Sequence, residues 1–183
     1  AELCEACDKI QDFVFEMLFE SYKTPEDGGL VFSPLHLPTF LKPKDFAKVY
    51  LPSMKRFVEE ITVKRNYTLL FFMENDWMPY LDLLQELPEG GKVIGLFEFG
   101  DLKQYKERIG SKMTIAGGMP INLLGMGTKQ QCIDKAKECL DNYAPGGNYI
   151  FSVDMVLMNL KEKCDAPECN PSGCKKERSD HEL

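Results

Sequence analysis

The chain has 183 residues, of which 44% are hydrophobic and 28% are charged. This is ordinary globular composition and excludes an intrinsically disordered chain. The 29 acidic residues outnumber the 22 basic ones, which gives a formal net charge of −7. An acidic surface disfavours nucleic acid and anionic membranes as partners, because both attract basic patches. No apolar run in the sequence approaches the ~20 residues that a membrane-spanning helix needs.

The cysteines favour a cytoplasmic protein. Their number, seven, is odd, and they are scattered through apolar, helix-like segments. Secreted disulfide frameworks have even numbers of cysteines, so a reducing compartment is the better interpretation. The first residues carry no basic region and do not resemble a signal peptide. A second hypothesis joins the CxxC motif at Cys4 and Cys7 to Cys164, Cys169 and Cys174 in a metal or disulfide cluster.

The first part of the chain is predicted to be mostly helical. Apolar residues at three- and four-residue steps predict a helix over 3–22, and a Pro/Gly-containing break follows at 24–29. The stretch 33–38, Ser-Pro-Leu-His-Leu-Pro, predicts a stiff loop because its prolines fix the backbone angle φ. A second helix is expected from Pro43, with a kink at Pro52.

Strands and helices then alternate. Apolar runs predict four strands, at 67–73, 93–98, 112–116 and 148–153. Helices are predicted between them at 78–86, 101–109 and 128–142. The last helix has Thr128 as its N-cap, and its predicted buried face contains Ile133, Ala136, Cys139 and Leu140. This alternation predicts parallel βα units, whose right-handed crossovers bring the carboxyl ends of all strands to one rim.

Acidic residues follow the predicted strands at this rim. The candidates are Glu74, Asp76, Glu98 and Asp154. Converging carboxylates can hold a metal, act as a general acid and base, or raise one another's pKa. The alternative for the individual residues is structural: Asp76 would cap the next helix, and Glu98 would accept a hydrogen bond from a backbone donor in its loop.

Three further features of the rim are candidates for binding or catalysis. His36, in the proline-fixed loop, is a candidate ligand or proton carrier, with a packing role as the alternative. Trp77 is predicted either to pack over a planar or cationic ligand or to anchor its loop. The pair Gly117-Gly118 would let a ligand approach the backbone.

Three segments resemble the uroporphyrinogen decarboxylase superfamily. They are Ser33–Phe46 with its continuation to Arg56, Gly110–Gln131, and Tyr149–Asp154 after a glycine-rich turn. The resemblance covers about residues 30–158 and is closest to the methyltransferase-like members. Because the superfamily consists of TIM barrels, the resemblance implies an α/β fold, the C-terminal half of a (β/α)8 barrel with about four parallel βα units. The chain would then comprise a helix and linker at 1–29, the half-barrel at 30–158 and a Cys-containing polar tail at 159–183.

The resemblance also implies a function. The methyltransferase-like members move a methyl group between a small substrate or carrier and a corrinoid protein. Their zinc ion, held by a His-x-Cys at one strand end and a Cys after the last strand, activates the acceptor. These positions correspond here to Phe72-Met73-Glu74 and Asp154-Met155, so the usual His and Cys ligands are absent and Glu74 is the best remaining metal ligand.

Two other functions stay open at this point. One is a tetrapyrrole decarboxylase, although its substrate-gripping residues lie in the N-terminal half of the barrel. The other is a non-catalytic, degenerate half-barrel that acts as a binding or assembly module. In each case the chain is shorter than the roughly 250 residues of a closed eight-stranded barrel. Four βα units leave two open sheet edges, which we expect a second copy of the chain or an N-terminal half-barrel to close.

Overall fold

The computed structural model describes residues 2–20, 29–89 and 91–155. The predicted tail at 159–183, with three cysteines of the proposed cluster, lies outside these residues. Five strands are observed: β1 (Leu30–Pro34), β2 (Thr68–Met73), β3 (Lys92–Phe97), β4 (Thr114–Met119) and β5 (Tyr149–Val153). The α-helices are α1 (Glu2–Glu20), α2 (Pro43–Asp45), α3 (Leu51–Val58), α4 (Leu81–Leu84), α5 (Leu102–Ile109), α6 (Ile121–Met126) and α7 (Lys129–Tyr143).

All five strands form one parallel sheet in the order β1-β2-β3-β4-β5. Each strand therefore pairs with its neighbours in sequence, and helical connections carry the chain back to start the next strand. This arrangement confirms the predicted α/β fold and matches part of a TIM barrel, in which every strand ends at the same rim.

The first strand was missing from the sequence-based prediction. Residues 33 and 34 were assigned to a loop, whereas Leu30–Pro34 pairs with β2 over its whole length. The prolines that suggested a loop are compatible with a strand here, because β1 is an edge strand and Pro34 is its last residue. A loop does follow, from Leu35, whose N–H donates to the carbonyl oxygen of Phe72 (2.9 Å).

The second helix is a continuous helical stretch with two π-helical turns. α2 leads into a π-helical turn at Phe46–Tyr50, and α3 leads into another at Glu59–Lys64. The first turn lies directly before Pro52, where a kink was predicted. Since Pro52 has no N–H to donate, the wider turn, closed by the Leu51 N–H and the Phe46 carbonyl, changes the hydrogen-bond register at that point.

The hydrophobic core lies between the helices and one face of the sheet. Alternate residues of β2, Leu69, Phe71 and Met73, are essentially inaccessible and belong to this core. α1 belongs to the same core, because Phe15 is buried and stacks on Phe57 of α3 (ring centroids 5.9 Å apart). The other face of the sheet is more open: on it Phe32 of β1 is exposed.

The helix α7 agrees with its predicted position but not with its predicted face. Thr128 is the N-cap, and it forms a capping box with Gln131. Ile133 and Leu140 were predicted to be buried and are exposed, while Cys139 is fully buried. The prediction was wrong because the face that packs on the sheet is centred on Cys139, and Ile133 and Leu140 lie beside it rather than within it.

Within the described residues, no helix is both long enough and apolar enough to cross a bilayer.

Replacing Thr128 by Ala is expected to lower the free energy of unfolding by about 1 kcal/mol, because the backbone N–H of Gln131 loses its acceptor. Urea denaturation measures the change. Thr128→Ser is the matched control, since it keeps the capping oxygen and is expected to stay close to wild type. Equal losses in both variants would contradict a role of the hydroxyl as the cap.

Candidate functional site

Three consecutive strands place side chains at equivalent positions of the rim. Pro34 of β1 pairs with Phe72 of β2, and Phe72 pairs with Leu96 of β3. Two residues beyond these three positions come His36, Glu74 and Glu98. Because parallel strands end at one rim, the register brings the three predicted residues to neighbouring positions.

His36 and Glu74 are in direct contact. Nδ1 of His36 is hydrogen-bonded to Oε2 of Glu74, whose side chain is 17% exposed against 63% for the His36 side chain. An ionised carboxylate can only accept hydrogen bonds, so Nδ1 is the donor. The neutral imidazole then has an unprotonated Nε2 that can accept a proton. A histidine held by a carboxylate in this way is a common arrangement for general acid–base chemistry.

Glu98 stabilises the turn that carries Glu74. Oε2 of Glu98 accepts a hydrogen bond from the backbone N–H of Asn75 (2.9 Å), and the Asn75 amide donates to the carbonyl oxygen of His36 (3.4 Å). Asn75 has φ +65°, a left-handed conformation that asparagine adopts more easily than most residues. Asn75 therefore links the loops after β1, β2 and β3, a role that the sequence analysis missed. Its position between two acids at a strand end was the available signal.

Trp77 anchors the same turn from inside the protein. Its side chain is fully buried, and its Nε1–H donates to the carbonyl oxygen of Glu74 (2.9 Å). The indole packs edge-on against Phe46 (6.0 Å between centroids) and beside Tyr80 (5.7 Å). Because it has no exposed surface, Trp77 cannot pack over a ligand, and the structure corresponds to the loop-anchor alternative.

Tyr80 holds the segment that follows His36. Its hydroxyl lies 3.0 Å from the carbonyl oxygen of Thr39 and 2.5 Å from that of Leu41. Burial, together with the nearby charge of Asp76, raises the pKa of Tyr80. The phenol therefore stays protonated at neutral pH and remains a hydrogen-bond donor to this loop.

The remaining predicted acids, Asp76 and Asp154, accept hydrogen bonds from backbone N–H groups. Oδ1 of Asp76 accepts from the N–H of Met78 (2.9 Å), the first residue of the 3-10 helical turn Met78–Tyr80, whose N-cap position is Trp77 rather than Asp76. Oδ1 of Asp154 accepts from the N–H of Ile121 (3.0 Å) and so caps the short helix α6. α6 was not predicted, and its cap comes from a residue 33 positions later in the chain. Of the four predicted acids, Glu74 is the one hydrogen-bonded to another side chain.

The glycine pair on β4, Gly117 and Gly118, is in contact with side chains of the protein itself. Both residues have left-handed backbones, with φ +128° at Gly117 and +106° at Gly118. A Cβ at Gly118 would lie 2.8 Å from Tyr149 Oη and 3.0 Å from Cys139 Sγ. Tyr149 donates to the carbonyl oxygen of Gly117 (2.9 Å), and the Cys139 thiol donates to that of Gly118 (3.2 Å). The close approach at these glycines is therefore made by the protein's own side chains.

A cavity of about 200 Å³ lies at the rim beside the start of α5. Its polar lining residues are Glu98, Asp101, Lys135, Tyr143 and Asp154. Lys135 is the basic member, and its hydrogen bond to Glu138 raises its pKa, so it is charged at neutral pH. The sequence analysis did not predict Lys135 as a site residue. The volume suits a ligand of a few heavy atoms, below the roughly 300 Å³ at which drug-sized pockets begin.

The residues that the structure describes do not fit the zinc site implied by the family resemblance. His36 and Glu74 supply two side chains, whereas protein zinc sites use three or four protein ligands. Among the described residues there is no group of three or more His, Cys, Asp or Glu side chains that could hold a metal.

Stability is expected to depend on pH through Asp101, the N-cap of α5. The hydrogen bond from the Gln104 side chain, with the backbone N–H groups of Gln104 and Lys103, lowers the pKa of Asp101. A carboxyl with a lowered pKa stabilises the fold above its unfolded value of about 3.9, and this stabilisation is lost as the pH falls through the folded pKa. Urea denaturation should thus show that wild type loses its advantage over Asp101→Asn, which caps but does not titrate, below about pH 4. Parallel pH curves for the two proteins would contradict this.

Comparison with known proteins gives one match. The family model described as Uroporphyrinogen decarboxylase (URO-D) matches residues 1–157. No curated protein and no solved structure matches the chain. The matched segment contains α1 and all five strands, and it includes the rim residues His36, Glu74 and Glu98. The chain therefore belongs to the uroporphyrinogen decarboxylase (URO-D) family.

Proposed function

We propose that this protein is a methyltransferase-like member of the family, which moves a methyl group between a small substrate or carrier and a corrinoid protein. The observation that carries the proposal is the contact between His36 Nδ1 and Glu74 at the carboxyl ends of β1 and β2. In this proposal His36 is the general acid and base, and Glu74 orients its imidazole ring.

The chemistry of the pair suits methyl transfer to a protic acceptor such as a thiol or hydroxyl. Nε2 of His36 takes the proton from the acceptor as its sulfur or oxygen attacks the methyl carbon. The electrons of the broken bond stay with the group that gives up the methyl. In the reverse direction the imidazolium returns the proton. Glu74 stabilises the positive charge that His36 gains, because its carboxylate accepts from Nδ1 throughout.

The rest of the rim supports binding of a small molecule. The 200 Å³ cavity is lined by Glu98, which also holds the Asn75 turn, and by the charged Lys135. Thus binding in the cavity and the position of the His36–Glu74 pair are connected through one residue. Three carboxylates, Glu98, Asp101 and Asp154, line the cavity, and the ammonium of Lys135 is paired with Glu138 (2.8 Å). The excess of negative charge favours a small neutral or cationic methyl donor or acceptor.

The non-catalytic alternative also has a specific observation in its favour. Asp76, Glu98 and Asp154 each satisfy a backbone N–H, which is what acids do in a purely structural rim. A measurement of methyl-transfer activity distinguishes the methyltransferase from the non-catalytic module. The decarboxylase alternative has no residue of the described chain in its support.

The test uses methylcobalamin as the methyl donor and a panel of small thiols and phenols as acceptors. Loss of the methyl group changes the visible absorbance of the corrinoid, so the rate is read directly. We expect His36→Gln to lower the rate by about 10²–10⁴-fold, the range for removal of a general base. Glu74→Gln should give a smaller loss. Glu107→Gln, an exposed residue of α5 outside the cavity lining, is the matched control and should match wild type.

A wild-type rate no higher than that of the mixture without protein, with every acceptor, would overturn the methyltransferase proposal. Release of CO2 from a porphyrinogen by the same preparation would then support the decarboxylase. Inactivity in both assays would favour the non-catalytic module.

The geometry of the pair is tested without any activity assay. In ¹⁵N NMR spectra of neutral imidazole, His36 is expected to be the tautomer protonated on Nδ1, because Glu74 accepts there. Glu74→Ala should shift the population toward the Nε2–H form, and His36→Gln assigns the signals. An unchanged tautomer ratio in Glu74→Ala would show that the carboxylate does not orient the ring.

A further inference from the structure

A second cavity, of about 300 Å³, lies where the strands begin, at the end of the sheet opposite the rim. Its lining comes from the starts of β2, β3 and β4 and from the loops before β4 and β5. We call it the amino-end cavity, and its polar lining residues are Thr68, Lys92, Ser111, Lys112, Thr114 and Asn148. Thr68 precedes Glu74 by the length of β2, roughly 20 Å of extended chain. The amino-end cavity is therefore separate from the His36–Glu74 pair.

The register of the central strands places polar side chains next to one another in this cavity. Thr68 pairs with Lys92, and Ile94 pairs with Thr114. Residues paired in register share a face of the sheet, and so do residues two apart on one strand. All four therefore lie on the face opposite the hydrophobic core. Ile94, which is half-buried, adds an apolar surface beside the three polar side chains.

Hydrogen bonds fix the loops that complete the cavity. Asn148 has a left-handed backbone, with φ +53°, and its Nδ2 donates to the carbonyl oxygen of Gly110 (3.1 Å). The carbonyl oxygen of Ile109 accepts from the backbone N–H of Lys112 (2.9 Å). Carbonyls at the end of a helix carry partial negative charge and repel anions. At the end of α5 these two carbonyls are already bonded to donors of the protein itself.

The lining of the amino-end cavity is basic, although the chain as a whole is acidic. It includes Lys92 and Lys112 and no Asp or Glu of the described residues. Lys92 forms no ion pair within this part of the chain, and Lys112 pairs with Glu89, which lies outside the lining (2.9 Å). With Glu89 counted, two ammonium groups face one carboxylate. The cavity at the rim has three carboxylates and one ammonium, so the two ends of the sheet favour ligands of opposite charge.

Lys112 is the more buried of the two lysines, and it has donors to spare. Its side chain is 14% exposed, whereas the side chain of Glu89 is 84% exposed. An ammonium has three N–H donors, and Glu89 is the one hydrogen-bond partner of Lys112 Nζ among the described residues. The hydrogen bond from Lys112 lowers the pKa of Glu89, so this carboxylate is ionised at neutral pH. Because an ion pair to so exposed a carboxylate is weak, an anion in the cavity can replace Glu89 at little cost.

We propose that the amino-end cavity binds a small phosphate monoester. The phosphate oxygens accept from the ammonium groups of Lys92 and Lys112 and from the hydroxyls of the lining, while Ile94 and Met113 contact the organic part. A phosphate has three strong acceptor oxygens, which suits donors that come from three strands and a loop, and lysine binds phosphate as a point charge. A volume of 300 Å³ is at the lower end for small-molecule sites and leaves room for a few carbon atoms beside the phosphate. This inference does not depend on the proposed function.

An NMR titration of the 183-residue chain with glycerol 3-phosphate is the test. It is run at about 0.15 M NaCl, where interactions between exposed charges are screened beyond about 8 Å. The backbone amide signals of Thr68, Ser111 and Thr114 are expected to shift saturably, with a dissociation constant of about 1 mM or lower. Signals of Asn75 at the rim should not move. Glycerol should not bind, and inorganic phosphate should bind more weakly than the ester because it has no organic part. Tighter binding of inorganic phosphate would overturn the assignment of a monoester in favour of free phosphate.

Two variants at exposed residues, which are expected to fold, should change the affinity in opposite directions. Lys92→Gln should raise the dissociation constant about tenfold or more, because a charged hydrogen bond is lost. Lys103→Gln makes the same change of charge on α5, outside the lining, and should bind as wild type does. Glu89→Gln should lower the dissociation constant several-fold, because Lys112 loses its competing carboxylate. Glu107→Gln, at another exposed acid, is the control for that gain.

Several results would overturn the proposal. One is the absence of saturable shifts at about 10 mM glycerol 3-phosphate. A second is the same set of shifts on adding NaCl to equal ionic strength, which would mean screening rather than binding. A third is equal weakening by Lys92→Gln and Lys103→Gln, which would mean attraction to the surface charge in general. A Glu89→Gln variant that binds no more tightly than wild type would overturn the role of Lys112.

Discussion

The parallel register of β1, β2 and β3 is the constraint on which the candidate site depends. Backbone hydrogen bonds align Pro34, Phe72 and Leu96, and the chain leaves the sheet at the same height on three adjacent strands. The next side chains that can reach across are His36 and Glu74, and they touch. A shift of one residue in either pairing would turn these side chains to the other face of the sheet. The ladder of the sheet, rather than any local loop motif, thus brings an imidazole against a carboxylate.

Alignment by the sheet is not sufficient, because both residues lie just beyond the strands, where the backbone is free to vary. The structure restrains these loops through buried groups. Trp77 binds the Glu74 carbonyl from below, Tyr80 binds the carbonyls of residues 39 and 41, and Phe46 packs against both rings. This aromatic cluster supplies the rigidity that an exposed histidine lacks by itself. Apolar burial, the strongest stabilising term in the fold, is used here to fix polar atoms at the rim.

Sequence reasoning succeeded where information is local. The periodicity of α1, the N-cap at Thr128 and the apolar runs of β2 and β3 all depend on residues within one turn or one strand. The edge strand β1 was not predicted, because its prolines suggested a loop. The helix α6 was not predicted either, because its cap, Asp154, comes from a distant part of the chain. Trp77 was placed at the rim correctly by position, but whether its ring faces outward or inward depends on Phe46, more than 30 residues earlier. Such pairings are set by tertiary packing and leave no local signal.

The connections between the strands, which bring all the strand ends to one rim, also determine which face of the sheet is covered. Right-handed crossovers between strands in the order β1-β2-β3-β4-β5 place the helices on one face of the sheet. The other face stays open along the whole sheet. A closed ring of strands removes the edges and buries that face, as barrels do. His36 and Glu74 lie on the β1 side, next to an open edge, whereas Asp154 and the cavity lie toward β5 at the other end. The two groups of residues thus lie beside different edge strands of the described sheet.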